Sequence, residues 1–189
     1  MDLYLHVRVL LSMILGLGVA HLLRGVARIV QHPKKYALYW VHLVWALFLF
    51  LYLIHFWWWE FSLQKVTEWT FPLYFFIAIY ATLLYLMCTF FFPDEMDDYD
   101  GYKNYFYWRK QWIFALMMAL FIADIIDTSI KGSDYRSKLG MLYEIRTITS
   151  LVLCALAIKI KSQRFHAAFA IFALIFEVVL IFKLYLTVR

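Results

Sequence analysis

The sequence predicts an all-α membrane protein, a polytopic bundle of six transmembrane helices without a soluble domain. Three observations predict it. Of 189 residues, 65% are hydrophobic and the mean hydropathy is +0.72, well beyond the ~45–50% apolar share of a globular domain. Six stretches reach the ~20 mostly apolar residues that a membrane crossing needs. The connections between them are short, so a single six-helix membrane domain takes up residues 1–189.

The first span covers residues 3–23. Asp2 stands where a signal peptide would carry a basic start, and no small-residue cleavage site follows, so this segment is expected to be retained. The second, 37–59, follows Pro33 and closes on Trp57-Trp58-Trp59. The third, 71–92, has Pro72 in its first turn, where helices tolerate proline, and Pro93 as its stop. Next comes PDEMDDYDGYKNYFYWRKQ, an acidic patch joined to an aromatic run, expected to lie along the membrane surface. The fourth span, 111–130, is separated from the fifth, 142–161, by a loop punctuated by Gly132 and Gly140. The sixth covers 166–187. Tryptophan and tyrosine at the span ends read as a belt at headgroup level.

The net charge of +5 is spread over the loops. That points away from nucleic acid and towards the lipid bilayer and its anionic headgroups as partners. Ten loop lysines and arginines gather at one end of the predicted bundle and six at the other. The positive-inside rule then puts both termini on the outer side. Cys88 and Cys154 sit in apolar runs without a CxxC spacing and read as small buried hydrophobes.

Against this apolar background, FIADIIDTSI places two carboxylates three residues apart near the end of the fourth span. At ~1.5 Å per residue, Asp124, Asp127, Arg8, His55 and Arg146 fall at similar heights in the outer half, with Glu177 nearer the middle. At ~100° per residue, Asp124, Asp127, Thr128 and Lys131 share one face of their helix. Arg146, Thr149 and Ser150 share another, and His166, Ala170, Ala173 and Glu177 form a small-residue seam carrying a carboxylate. A charge at the bilayer centre costs at least ~2.5–3.5 kcal/mol, so such groups must pair, neutralise or line water. The expectation is a polar, ion-binding cavity built by Asp124, Asp127, Glu177, Arg146, Arg8 and His55.

At the other end, His21, Arg24 and Arg28 form one stripe with Lys159 at similar height, expected to hold anionic lipid headgroups. Six histidines raise the question of haem. His6 with His55 and His21 with His42 have the heights of a two-haem pair, but His42 and His55 point ~140° apart. No cofactor is expected. No HExxH, thiolate pair or carboxylate cluster has metal spacing, and no GxSxG or P-loop signature marks an enzyme.

The segments GLGVAHLLRGVARIVQH, YWVHLVWALFLFLYLIHFWWWEF and FPDEMDDYDGYKNYFYWRKQWIF resemble a widespread set of small six-span bacterial proteins of unassigned function. The resemblance implies a bacterial inner membrane, hence periplasmic termini, and carries no catalytic residue. The leading functional expectation is a small channel or transporter moving a cation, proton or small solute. Its alternatives are a membrane sensor or assembly subunit acting through protein partners, and a haem-based electron carrier. Assembly of identical copies is compatible with all three.

Overall fold

The computed structural model describes residues 3–32, 35, 37–66 and 68–185. Asp2, Pro33 and positions 186–187 of the sixth predicted span lie outside these. Among the described residues every regular element is helical: α1 (Leu3–Gln31), α2 (Trp40–Trp59), a short 3-10 helix (Glu60–Lys65), α3 (Phe71–Phe91), α4 (Tyr102–Ile130), α5 (Ser133–Lys159) and α6 (Gln163–Tyr185). All six α-helices are long and apolar enough to cross a membrane. They pack as a ring in the order α1, α3, α4, α5, α6, α2, and α2 also reaches inward to α3 and α4. The helix with the most neighbours is the most buried one.

Side-chain periodicity explains each seam. On α1, Tyr4, Val7, Leu11, Leu15, Gly18, Leu22, Gly25 and Ile29 are buried at alternating steps of three and four. That is the spacing of a knobs-into-holes stripe, and it lies against α3. Gly25 makes the close approach possible, because a Cβ there would sit 2.1 Å from the Phe92 ring. On α2, Trp45 is fully buried and meets Phe169, Phe48 and Phe114 edge-on at centroid distances of 5.0, 5.4 and 5.7 Å. Edge-to-face pairs contribute ~0.5–1.5 kcal/mol each beyond their buried area.

Three helix ends depart from the sequence expectation. α1 continues from 23 to Gln31 because its buried stripe continues through Leu22, Gly25 and Ile29, although hydropathy falls. α4 starts at Tyr102 rather than 111, so YKNYFYWRKQ is helical and continuous with the fourth predicted span. No proline or glycine interrupts it after Gly101, and its buried face runs on through Tyr102, Tyr105, Phe106 and Lys110 to Ile113. Polar residues on the opposite face hid that pattern from a hydropathy window. In α5, helical hydrogen bonding begins at Ser133, but Gly140 (φ 67°, ψ −173°) breaks the axis. Gly132 before it has φ 94° and ψ 170°. Both lie in a region that glycine alone adopts readily, so residues 133–139 form a short helix set off from the rest of α5 by the kink.

Candidate functional site

Five of the seven residues that form two buried ion clusters come from the last turns of α2 and α4, the part of α5 just after its kink and the C-terminal half of α6, while Glu60 and Lys131 lie just past the ends of α2 and α4. In the first, Arg146 on α5 lies between two carboxylates. Its Nη2 donates to Asp124 Oδ2 on α4 at 2.5 Å, and its Nη1 faces Glu177 Oε2 on α6 at 3.5 Å. Glu177 Oε1 contacts His55 Nδ1 on α2 at 2.5 Å. The Arg146 guanidinium is held between the rings of Phe121 and Tyr143, 5.7 and 5.5 Å from their centroids. Aromatic faces are favourable for a desolvated cation, and they fix the plane of the fork so that it spans both acids. The Tyr143 hydroxyl donates to the Asp124 carbonyl at 3.3 Å.

The second cluster is centred on Lys131, just past the end of α4. Its Nζ donates to Asp127 Oδ2 at 2.5 Å, one helical turn back, and to Glu60 Oε1 at 2.8 Å. The Trp59 indole donates to the same Glu60 oxygen at 3.0 Å. The Lys131 side chain is only 1% exposed. Burial pushes its ammonium towards the neutral form, but the Glu60 and Asp127 carboxylates outweigh that and hold its pKa above the ordinary lysine value.

Charge counting shows what these clusters can do. Four buried carboxylates, Glu60, Asp124, Asp127 and Glu177, face two fixed cations, Arg146 and Lys131, with His55 as a seventh member. Fully ionised acids would leave two negative charges in a low-dielectric interior, where an uncompensated charge is costly. Neutrality needs two more protons, one for each cluster. His55 with Glu177 and Glu60 with Asp127 are the pairs that can share them. Glu60 Oε2 and Asp127 Oδ1 have no hydrogen-bond partner among the described residues, so acceptor capacity for a proton is present in the second cluster.

Below this layer, the Tyr52 and Tyr80 hydroxyls pair at 3.2 Å, both rings buried. Above it, a cavity of about 20 Å³ touches His55, Asp124, Thr128, Tyr143 and Arg146. That is room for about one water. Tyr135 and Leu139 from the short helix 133–139, with Leu184 from α6, line both this cavity and an open pocket of about 410 Å³ that also touches Lys65, Lys131, Asp134 and Lys138. Those three side chains are walls common to the two.

Of the six expected cavity residues, the fold brings His55, Asp124, Arg146 and Glu177 into direct contact, and Asp127 into the neighbouring cluster. Arg8 stands apart. Its guanidinium lies over Tyr4, Trp57 and Phe61 at 5.3–5.7 Å from the ring centroids, because α1 packs chiefly on α3 and α2. Equal height did not translate into equal position around the ring. Glu60 was missed because it follows the tryptophan run and reads as a loop residue. Its adjacency to Trp59 at the height of Lys131 was the available signal.

At the opposite end, two of the four expected headgroup residues have other uses. His21 Nε2 meets the Phe92 carbonyl at 2.7 Å, and Arg28 Nη1 donates to the carbonyls of Pro93 and Asp94 at 3.0 and 2.9 Å. Both clamp the α3–α4 connection beneath α1. Arg24 and Lys159 are exposed. His42 is enclosed by the rings of Phe91, Phe92, Tyr102 and Tyr105, with centroids 4.9–6.3 Å away. That packing leaves no slot for a porphyrin face at His42. A cation site among the carboxylates would have to displace Arg146 or Lys131, which already occupy it. No family model, no curated protein and no solved structure matches the chain.

Proposed function

We propose that this chain is a multi-pass inner-membrane protein that exchanges protons between its outer, periplasmic side and the buried ion network, as a small proton-coupled transporter or channel. One observation carries the reading: in the layer of the two clusters, carboxylates outnumber fixed cations by two, and a cavity touching that layer shares Tyr135, Leu139 and Leu184 with a larger pocket. Among the cargoes open from sequence, a proton fits best, since a chamber with room for about one water passes no larger hydrated ion in this conformation. His55 and Glu177 would carry the exchangeable proton, Arg146 would hold Asp124 and Glu177 in register, and Tyr52 and Tyr80 would continue the polar path inward. The short helix between Gly132 and Gly140 would control access.

Reconstituted vesicles with an internal pH dye test this. Wild-type protein should dissipate an imposed proton gradient, and Glu177→Gln and Asp124→Asn should each slow that by roughly a hundredfold, the low end of what a positioned proton-transfer group supplies. Both variants keeping wild-type flux would remove the assignment. A second reading is favoured by the close pairing of Arg146 and Lys131 with carboxylates: a static scaffold that engages a protein partner. It predicts vesicles as tight as protein-free controls and a stoichiometric partner retained in mild detergent.

A further inference from the structure

Between the first turns of α4 and the end of α5 lies a groove of about 890 Å³, lined by Asn104, Tyr107, Trp108, Lys110, Gln111 and Ile158 together with Lys159 and Lys161. Its floor is Lys110, 4% exposed. Nζ donates to the carbonyls of Ala157, Ile158 and Ile160 at 2.8, 2.7 and 2.7 Å, which uses all three of its N–H groups. This caps the end of α5, where helix carbonyls are otherwise orphaned and the dipole is negative. The cap supplies a whole positive charge against a partial negative one. Lys110 has no carboxylate partner among the described residues, and no acidic residue lines the groove. Exposed Lys159 and Lys161 on the rim add two further positive charges. The groove is therefore a concave positive site with amide and phenol hydrogen-bonding groups and no counter-ion of its own.

Its surroundings define the occupant. Trp108 and Trp112 are 73% and 63% exposed, and on α5 Val152 and Leu156 are exposed towards the middle of the helix. A ligand seated in the groove with a long apolar portion would lie on those surfaces. We propose that the groove binds the headgroup phosphate of an anionic phospholipid. Lys159 and Lys161 would contact the phosphate, Asn104 and Gln111 the polar remainder of the headgroup, and the acyl chains would run along the exposed apolar faces of α4 and α5. The proposal rests on the membrane placement of the chain and is independent of proton exchange at the other end.

The test uses the full chain in a neutral mild detergent, with phosphatidylglycerol or phosphatidylcholine added at equal mole fraction and bound lipid read by native mass spectrometry. Wild-type protein should retain phosphatidylglycerol in preference to phosphatidylcholine. Lys159→Gln and Lys161→Gln should weaken that preference by about fivefold per lysine, while Lys183→Gln, an exposed cation near the end of α6, should leave it intact. Both lysines are exposed, so the melting temperature of the double variant in detergent alone should match wild type and exclude a folding defect. Equal retention of the two lipids by wild type, or an undiminished preference in the double variant, overturns the proposal. Displacement of phosphatidylglycerol by millimolar inorganic phosphate also overturns it, since that assigns the site to free anions. Proton flux unchanged in the double variant separates this result from the fate of the exchange reading.

Discussion

At the N-terminal end of the bundle, buried cations meet carboxylates. Arg146 lies between Asp124 and Glu177, and Lys131 between Asp127 and Glu60. At the opposite end, basic groups meet main-chain carbonyls, and the one carboxylate contact there, Arg28 with Asp94 at 3.9 Å, is at an exposed acid. Lys110 caps α5, His166 meets Ile160 O at 2.9 Å, and His21 and Arg28 hold the α3–α4 connection. Both arrangements satisfy hydrogen bonds, but they differ in what can change. A carbonyl does not titrate, so the acceptors of those bonds stay the same at every pH. A carboxylate does, so every bond in the ion network has two protonation states open to it. Under the proposed function, exchange chemistry belongs to the first end and anchoring to the second.

The largest effect that would sharpen this contrast is at Arg146. Arg146→Leu leaves Asp124 and Glu177 buried without their cation, and should cost ~3–5 kcal/mol of stability by thermal or denaturant unfolding. Adding Asp124→Asn and Glu177→Gln to that variant should restore most of the loss, because no unpaired charge then remains. The cost of the single variant should shrink from about pH 8 to about pH 5, since protonating the orphaned carboxylates removes the charge that destabilises them. A single variant as stable as wild type would break the comparison outright.

Next in size is Lys110→Met, which strips three carbonyls of a charged donor. It should cost ~1.5–3 kcal/mol, and by the same amount at both pH values, because its acceptors do not titrate. A strongly pH-dependent loss would show that this end is not inert. Gly25→Ala tests the seam between α1 and α3, where the added methyl meets the Phe92 ring. Overpacking should cost ~1–3 kcal/mol and leave proton flux unchanged in the folded fraction. Smallest is Arg8→Gln, which gives up only cation–π contacts at a partly exposed site, ~0.5–1 kcal/mol. It should not alter the pH response of flux, and a marked change there would return Arg8 to the network.

Much of the site was legible because helical periodicity carries facing. The stripe Asp124, Asp127, Thr128 and Lys131 and the seam His166, Ala170, Ala173 and Glu177 could be drawn from spacing, and the fold turns both inward. Arg8 and Glu60 were not legible for the opposite reason. Their roles depend on which helices are neighbours around the ring and on how the chain turns after Trp59. Neither quantity is local.

By itself the sequence determined six long apolar helices, because hydropathy and a 3.6-residue period are properties of each segment alone. It also determined that ionisable groups gather at one height, since rise per residue converts position into depth. Only the tertiary structure decided which of those groups touch, because ring order, helix rotation and the break at Gly140 arise from packing between segments distant in sequence. Depth is a one-dimensional property that a chain can encode locally. An ion pair needs the other two dimensions, and packing sets those.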